Sequence, residues 1–235
     1  MTPTFSQILL VIISVLLTVV LTLYFTNQSN KKNEVEKENT AKEKLISDLE
    51  KAWIADTIHI NFVLEMAKQE IASINFLLDN YTTHFSEFDN QTIDYHVHNA
   101  SHSLAFRPQI SVFEVNRYND KLKLLPDTIQ QRIFELYDVI YKRNFSLVEL
   151  HHSFISNKID FYLLENAKFI GFSEPSYTLK IDKVNANRLL EDDKFKHYLN
   201  YNRTLIDLAI DNYKKSLEKV SLLIEVIEKE KLNIK

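Results

Sequence analysis

Hydrophobic and polar positions divide the chain into an apolar block, a charged block and a long region with a helical rhythm. Ile8 to Phe25 runs for 18 residues without a charge, broken only by Ser14, Thr18 and Thr22. At about 1.5 Å of rise per residue such a run spans about 27 Å as a helix, close to the hydrocarbon thickness of a bilayer. Inside lipid every backbone N–H and C=O must be satisfied within the segment, which requires a helix. The pattern predicts a tail over residues 1–7 and a single transmembrane helix over residues 8–26. A cleaved signal peptide fits poorly, because Met1 to Gln7 holds no Lys or Arg and Tyr24 to Asn27 offers no small-residue cleavage site.

Residues 27–44 are polar, with Val35 and Ala41 the apolar exceptions, and read as a charged linker or stalk. From Ile46 the pattern sharpens. One heptad series is Ile46, Trp53, Ile60, Ala67, Ile74, Tyr81, Phe88; a second, offset by four, is Glu50, Thr57, Leu64, Ile71, Leu78, Phe85. This alternating spacing marks a helical seam, with no Pro or Gly to interrupt it. The bulky Trp53, Tyr81, Phe85 and Phe88 suit one wall of an intramolecular bundle better than the seam of a symmetric coiled coil. Glu70 stands one step off this stripe, where charge reversal is expected to cost far less than Ile74→Asp.

Asn90 or Thr92 is the expected N-cap of a second helix reaching Ala105. Arg107-Pro108 breaks it, a short helix follows over residues 109–119, and residues 121–125 are expected to be extended. Leu125-Pro126-Asp127 starts a further helix with the stripe Ile129, Ile133, Leu136, Ile140. Asn144 to Ser146 is a candidate bend, after which Leu147, Leu150, Phe154, Phe161 and Leu164 resume the rhythm. Gly171 to Tyr177, with Pro175, reads as a loop, and Lys183 to Tyr198 as a short segment before the last helix. There Leu199, Ile206, Tyr213, Val220 and Ile227 recur every seven residues, widened by Ala209, Ile210, Leu217, Leu223 and Ile224. The predicted fold is all-α: an antiparallel bundle with long helices over residues 45–235, carried on the N-terminal transmembrane helix.

Composition supports this. One glycine and four prolines in 235 residues argue for long helices with few connections. Cysteine is absent, which excludes disulfides, thiol catalysis and thiolate metal sites. A net charge of −4 with both signs interspersed offers no basic stripe for nucleic acid. Lys31, Lys32, Lys37, Lys42 and Lys44 follow the apolar run and no Lys or Arg precedes it, which favours a cytoplasmic body.

Candidate chemistry is sparse. His98 and His102, four apart, are the best metal-like pair, but they need a third ligand and carboxylate support. His59, His151 and His152 lie beside apolar positions and are expected to be partly buried and hydrogen-bonded. Arg203 and Asp207 have the spacing of a surface ion pair, and Glu191-Asp192-Asp193 offers negative charge to a helix start. Ser14, Thr18 and Thr22, with Thr26 beyond, form a row along the predicted span, where small polar residues let helices associate closely; bonding to each residue's own i−4 carbonyl is the alternative. Phosphate-binding and dinucleotide-binding glycine motifs are absent, and no cofactor is implied.

Three segments carry a family resemblance: Leu45 to Lys51 (LISDLEK), Lys121 to Tyr137 (KLKLLPDTIQQRIFELY) and Asp192 to Leu208 (DDKFKHYLNYNRTLIDL). With the N-terminal span, the layout resembles a family of uncharacterised single-span bacterial membrane proteins with a helical soluble domain. The resemblance implies a helical bundle and no known activity. The chain departs from that pattern in lacking basic residues before the span. The function expected is a membrane-anchored scaffold or sensor whose bundle binds a protein partner or a second copy of itself. A ligand-responsive effector with an inter-helical pocket near Phe106–Tyr118 and the His cluster is the alternative, and an enzyme has the least support.

Overall fold

The computed structural model describes residues 5–80, 87–103, 105–166, 169–173, 178–181 and 188–233; the side chains of residues 5–12, 169–173, 178–181 and 233 fall outside that description. Helix α1 (Phe5–Asp79) is continuous for 75 residues, about 110 Å. Neither Pro nor Gly falls within it. From Ile13 to Ala41 every side chain is exposed, and packing begins at Leu45. Among the residues whose side chains are described, no helix is long and apolar enough to cross a membrane. The uncharged run begins at Ile8, so the span predicted over 8–26 is described only in part.

The rest of the chain forms an up-down-up-down bundle with the second half of α1. The descending leg is α2 (Asn90–Ala100) followed by α3 (Ile110–Tyr118). The third leg, residues 127–166, is helical throughout: α4 (Asp127–Phe134), a π-helical stretch (Glu135–Tyr141), α5 (Lys142–Phe154), a second π-helical stretch (Ile155–Asp160) and α6 (Phe161–Asn166). Helix α7 (Asp193–Asn233) returns along α1. Its antiparallel register is set by Lys42–Glu230 and Lys231–Glu50 at one end and by Arg203 donating to Asn75 at the other.

On α7 the predicted heptad is buried throughout: Leu199, Ile206, Tyr213, Val220 and Ile227. On α1 the inner face reads Ile46, Leu49, Trp53, Asp56, Ile60, Val63, Ala67, Glu70, Ile74, Leu77, an unbroken alternation of three and four with every member buried. The first predicted series is therefore right as far as Ile74, and the second is displaced by one residue. The true partner series is Leu49, Asp56, Val63, Glu70, Leu77, and its two carboxylates hide it from an apolar count. Thr57, in the displaced series, bonds its own helix at the Trp53 carbonyl.

Other boundaries also move. Helix α1 ends at Asp79 rather than Phe88, because Asn80 Nδ2 returns to the Phe76 carbonyl and Phe88 folds back edge-on against the Phe76 ring. Tyr81 and Phe85 lie outside the described residues. The N-cap of α2 is Asp89, whose carboxylate accepts the Thr92 N–H at 2.6 Å, and α2 stops at Ala100. Lys121–Leu124 is a 3₁₀ turn instead of an extended link. Helix α7 already includes residues 193–198.

In the third leg the predicted stripe fails after Leu136. The i→i+5 bonding of a π turn takes up more chain per revolution than an α turn, so Tyr137 and Tyr141 are buried and Ile140 only half-buried. Downstream, Asn144, His151, Ile155, Ile159, Tyr162 and Leu163 face inward, while Leu150, Phe161 and Leu164 are exposed. No bend occurs at Asn144–Ser146, since α5 runs through it. Residues 169–173 and 178–181 pair as an antiparallel ribbon, β1 (Phe169–Ser173) and β2 (Thr178–Ile181), which corrects the predicted loop from Gly171 to Ser173. The pairing is irregular between Phe169 and Phe172, the interval that holds Gly171. Residues 174–177 of that loop lie outside the described residues.

Candidate functional site

Asp56 and Glu70 stand two heptads apart on the inner seam and organise the polar groups of the core. Asp56 accepts the Gln109 backbone N–H at 2.7 Å on one oxygen and the Tyr141 hydroxyl at 2.8 Å on the other. Around Glu70, Asn202 of α7 donates through Nδ2 to Glu70 Oε1 at 3.1 Å and to the Ala100 carbonyl at 2.9 Å. A carbonyl only accepts, so the amide orientation is settled, and Asn202 Oδ1 faces His151 Nε2 at 2.7 Å. That nitrogen therefore carries a hydrogen, and it lies 3.4 Å from Glu70 Oε1. Glu70 Oε2 and the Tyr213 hydroxyl are buried and have no hydrogen-bond partner among the described residues.

These groups share one task in the fold. The descending leg is interrupted between Ala100 and Ile110, and the backbone groups freed there need partners that a helix would have supplied. Asn202 satisfies the last carbonyl of α2, Asp56 takes the N–H that opens α3, and His59 Nε2 takes the Arg107 N–H at 3.1 Å. His152 meets Ser103 across the same break. Electrostatics follow from burial. Desolvation raises the carboxyl pKa of Glu70 despite the His151 and Asn202 contacts that oppose it, and raises that of Asp56 despite the Gln109 and Tyr141 bonds. The Tyr141, Tyr137 and Tyr213 hydroxyls are pushed up by burial first and by the nearby carboxylates second.

The predicted site residues fall elsewhere. His98 lies on α2, but His102 lies beyond the C-cap Ser101, so the pair is not on one helix face as expected. Their rings are 6.1 Å apart, and burial lowers the pKa of both. Among the described residues no group of three or more His, Cys, Asp or Glu could hold a metal ion. Thr18 and Thr22 donate to the carbonyls of Ser14 and Thr18, each at 2.8 Å. Arg203 binds Asn75 and Asn200 instead of Asp207. Asp192 behaves as predicted: it accepts the Lys194 N–H at the start of α7 and the Tyr162 hydroxyl.

No family model, curated protein or solved structure matches this chain. Asn202, Asp56 and His59 serve the break in the descending leg, and the outer face of α1 is a surface the bundle leaves uncovered. Ile58 is 67% exposed and Phe62 62% exposed, with Ile54 and Ala55 beside them. Opposite the inner seam, they point away from the bundle. Toward the stalk this face meets α3 in an open groove of about 580 Å³, lined by Ala52, Ala55, Val112 and Val115 with Lys44, Lys51 and Lys121 on its rim. Sequence reasoning missed the face because Ile54, Ile58 and Phe62 fall in neither heptad series read there, and exposure on a helix is not written in its periodicity.

Proposed function

We propose that this chain is a membrane-anchored helical module that presents the outer face of α1 to a protein partner. The observation that carries the reading is the row Ile54, Ile58 and Phe62, large apolar side chains kept in solvent on a helix whose opposite face is fully packed. Anchoring is supported by the uncharged Ile8–Phe25 run and by the continuity of α1 from Phe5 into the bundle. Lys31, Lys32 and Lys37 beyond the run support a cytoplasmic bundle. The likeness to single-span bacterial membrane proteins belongs to the same proposal. The alternative, a ligand-responsive effector, has the groove along residues 109–121 in its favour. Against it, Phe106 is buried among Tyr141, Phe145 and Tyr213.

Two measurements test the reading. A photo-crosslinking amino acid at Ile58 should give a discrete protein adduct in cells, and the same group at exposed Glu149 on α5 should not. Equal labelling at both positions, or none at Ile58, refutes partner docking on this face. In the cysteine-free chain, a membrane-impermeant maleimide applied to intact cells should reach Thr2→Cys and spare Asn233→Cys. The reverse pattern overturns the cytoplasmic assignment, and equal access to both overturns the span.

A further inference from the structure

On the outer face of α1, Lys44, Asp48, Lys51, Ala55, Ile58 and Phe62 follow one another at spacings of four and three. This is the spacing of a helical seam, and it is a different set from the inner seam that the bundle consumes. The residues extend over about 27 Å of helix, roughly five turns. For the part nearer the stalk, α3 supplies a second wall through Ser111, Val112, Val115 and Asn116. Tyr118, 90% exposed, follows Val115 by three positions. The floor is made of small residues, Ala52 and Ala55, which leave room for large side chains to enter.

We infer that this groove receives an amphipathic helix of a partner protein whose apolar stripe is flanked by carboxylates. The inference rests on the protein-docking role proposed above and adds the chemistry of the partner. Helix-in-groove recognition lays the apolar face of an amphipathic helix on an apolar strip. Ala55, Ile58 and Phe62 on α1 with Val112 and Val115 on α3 provide that strip, and Lys44, Asp48 and Lys51 continue it toward the stalk as a charged flank. Charge decides the partner's sign. Lys44, Lys51 and Lys121 surround the apolar floor against the single acid Asp48, and among the described residues none of the three lysines has a carboxylate within ion-pair distance. A second copy aligned in register would bring Lys44 and Lys51 against their own counterparts, a repulsive arrangement. Anionic lipid is too far away. With the predicted span ending at Thr26, Lys44 stands about 27 Å along the helix from the bilayer, several times the screening length of about 8 Å at physiological salt.

The test uses the full chain in lipid nanodiscs, panned against a displayed library of 18-residue peptides with an apolar heptad seam and either Glu or Lys at each flanking position, after removal of binders to empty nanodiscs. The expected result is enrichment of Glu-flanked peptides, at least tenfold weaker binding to Lys51→Glu/Lys121→Glu, and a switch of that variant's selection to Lys-flanked peptides. Val115→Asp, at an exposed position, should abolish both. Failure to enrich any peptide, charge-blind enrichment, or binding unchanged in the variants overturns the inference. So does a dimer of the wild-type chain that Ile58→Asp dissociates, which would make a second copy the occupant. A cellular adduct at Ile58 together with charge-blind peptides sinks the acidic helix and leaves partner docking standing; loss of both sinks both.

Discussion

Glu70 gives the sharpest test of the inner seam. Read from sequence, it stands beside the stripe and should accept a lysine readily; in the fold it is 2% exposed and faces His151 and Asn202. Glu70→Lys places an ammonium against the His151 N–H and the Asn202 amide, removing an acceptor and burying a charge without a counter-charge. Breaking a buried polar pair in this way costs about 3–5 kcal/mol, a large part of a typical domain's stability of about 5–15 kcal/mol. Ile74→Asp, also on the inner face, should cost a similar amount. Glu70→Gln keeps an oxygen for Asn202 and His151 and removes the charge, so it should stay within about 1 kcal/mol of wild type. The variants also differ in pH dependence. Burial raises the Glu70 pKa above its ordinary 4.5, so the native state holds this proton more tightly than the unfolded chain. Its contribution to stability is then full below pH 4.5 and falls as pH rises through the native pKa. Glu70→Gln should remove that fall. Trp53, the only tryptophan and fully buried, reports unfolding directly. Urea titrations of the detergent-solubilised chain, followed by its fluorescence from pH 4.5 to 8, supply the midpoints. If Glu70→Lys and Glu70→Gln lose equally little stability, Glu70 faces solvent and the inner seam drawn here is wrong.

Tyr141→Phe strips Asp56 Oδ2 of its donor inside the core and should cost about 1.5–3 kcal/mol, whereas Tyr118→Phe, which deletes a hydroxyl in open solvent, should stay within about 0.5 kcal/mol of wild type; equal urea midpoints would contradict the Asp56–Tyr141 bond. In the predicted span, replacing Ser14, Thr18 and Thr22 with Leu should weaken cross-linking of the full chain in membranes by about 1–2 kcal/mol through bulk. Thr18→Val/Thr22→Val should change nothing, because those hydroxyls already donate to their own helix; a stronger effect of the valines would show hydrogen bonding between helices instead.

The sequence by itself determined the helical class, the long first and last helices and most of the residues they bury. Those features depend on local order alone: the scarcity of glycine and proline, and an apolar repeat that matches the α-helical turn. Ile46, Trp53, Ile60, Ala67 and Ile74 on α1, and the heptad from Leu199 to Ile227 on α7, could be read because their burial follows from helix periodicity. Tertiary structure decided what periodicity cannot express. Asp56 and Glu70 occupy seam positions because a helix break on the neighbouring leg brings them N–H groups and the Asn202 amide, partners remote in sequence. Asn144 and His151 face inward because a π-helical turn shifts the register behind it, and their donors meet Ser216 and Asn202 of α7. The outer face of α1 was likewise hidden in the sequence, where Ile58 and Phe62 look no different from core residues. Only the placement of the other legs leaves those two side chains in solvent.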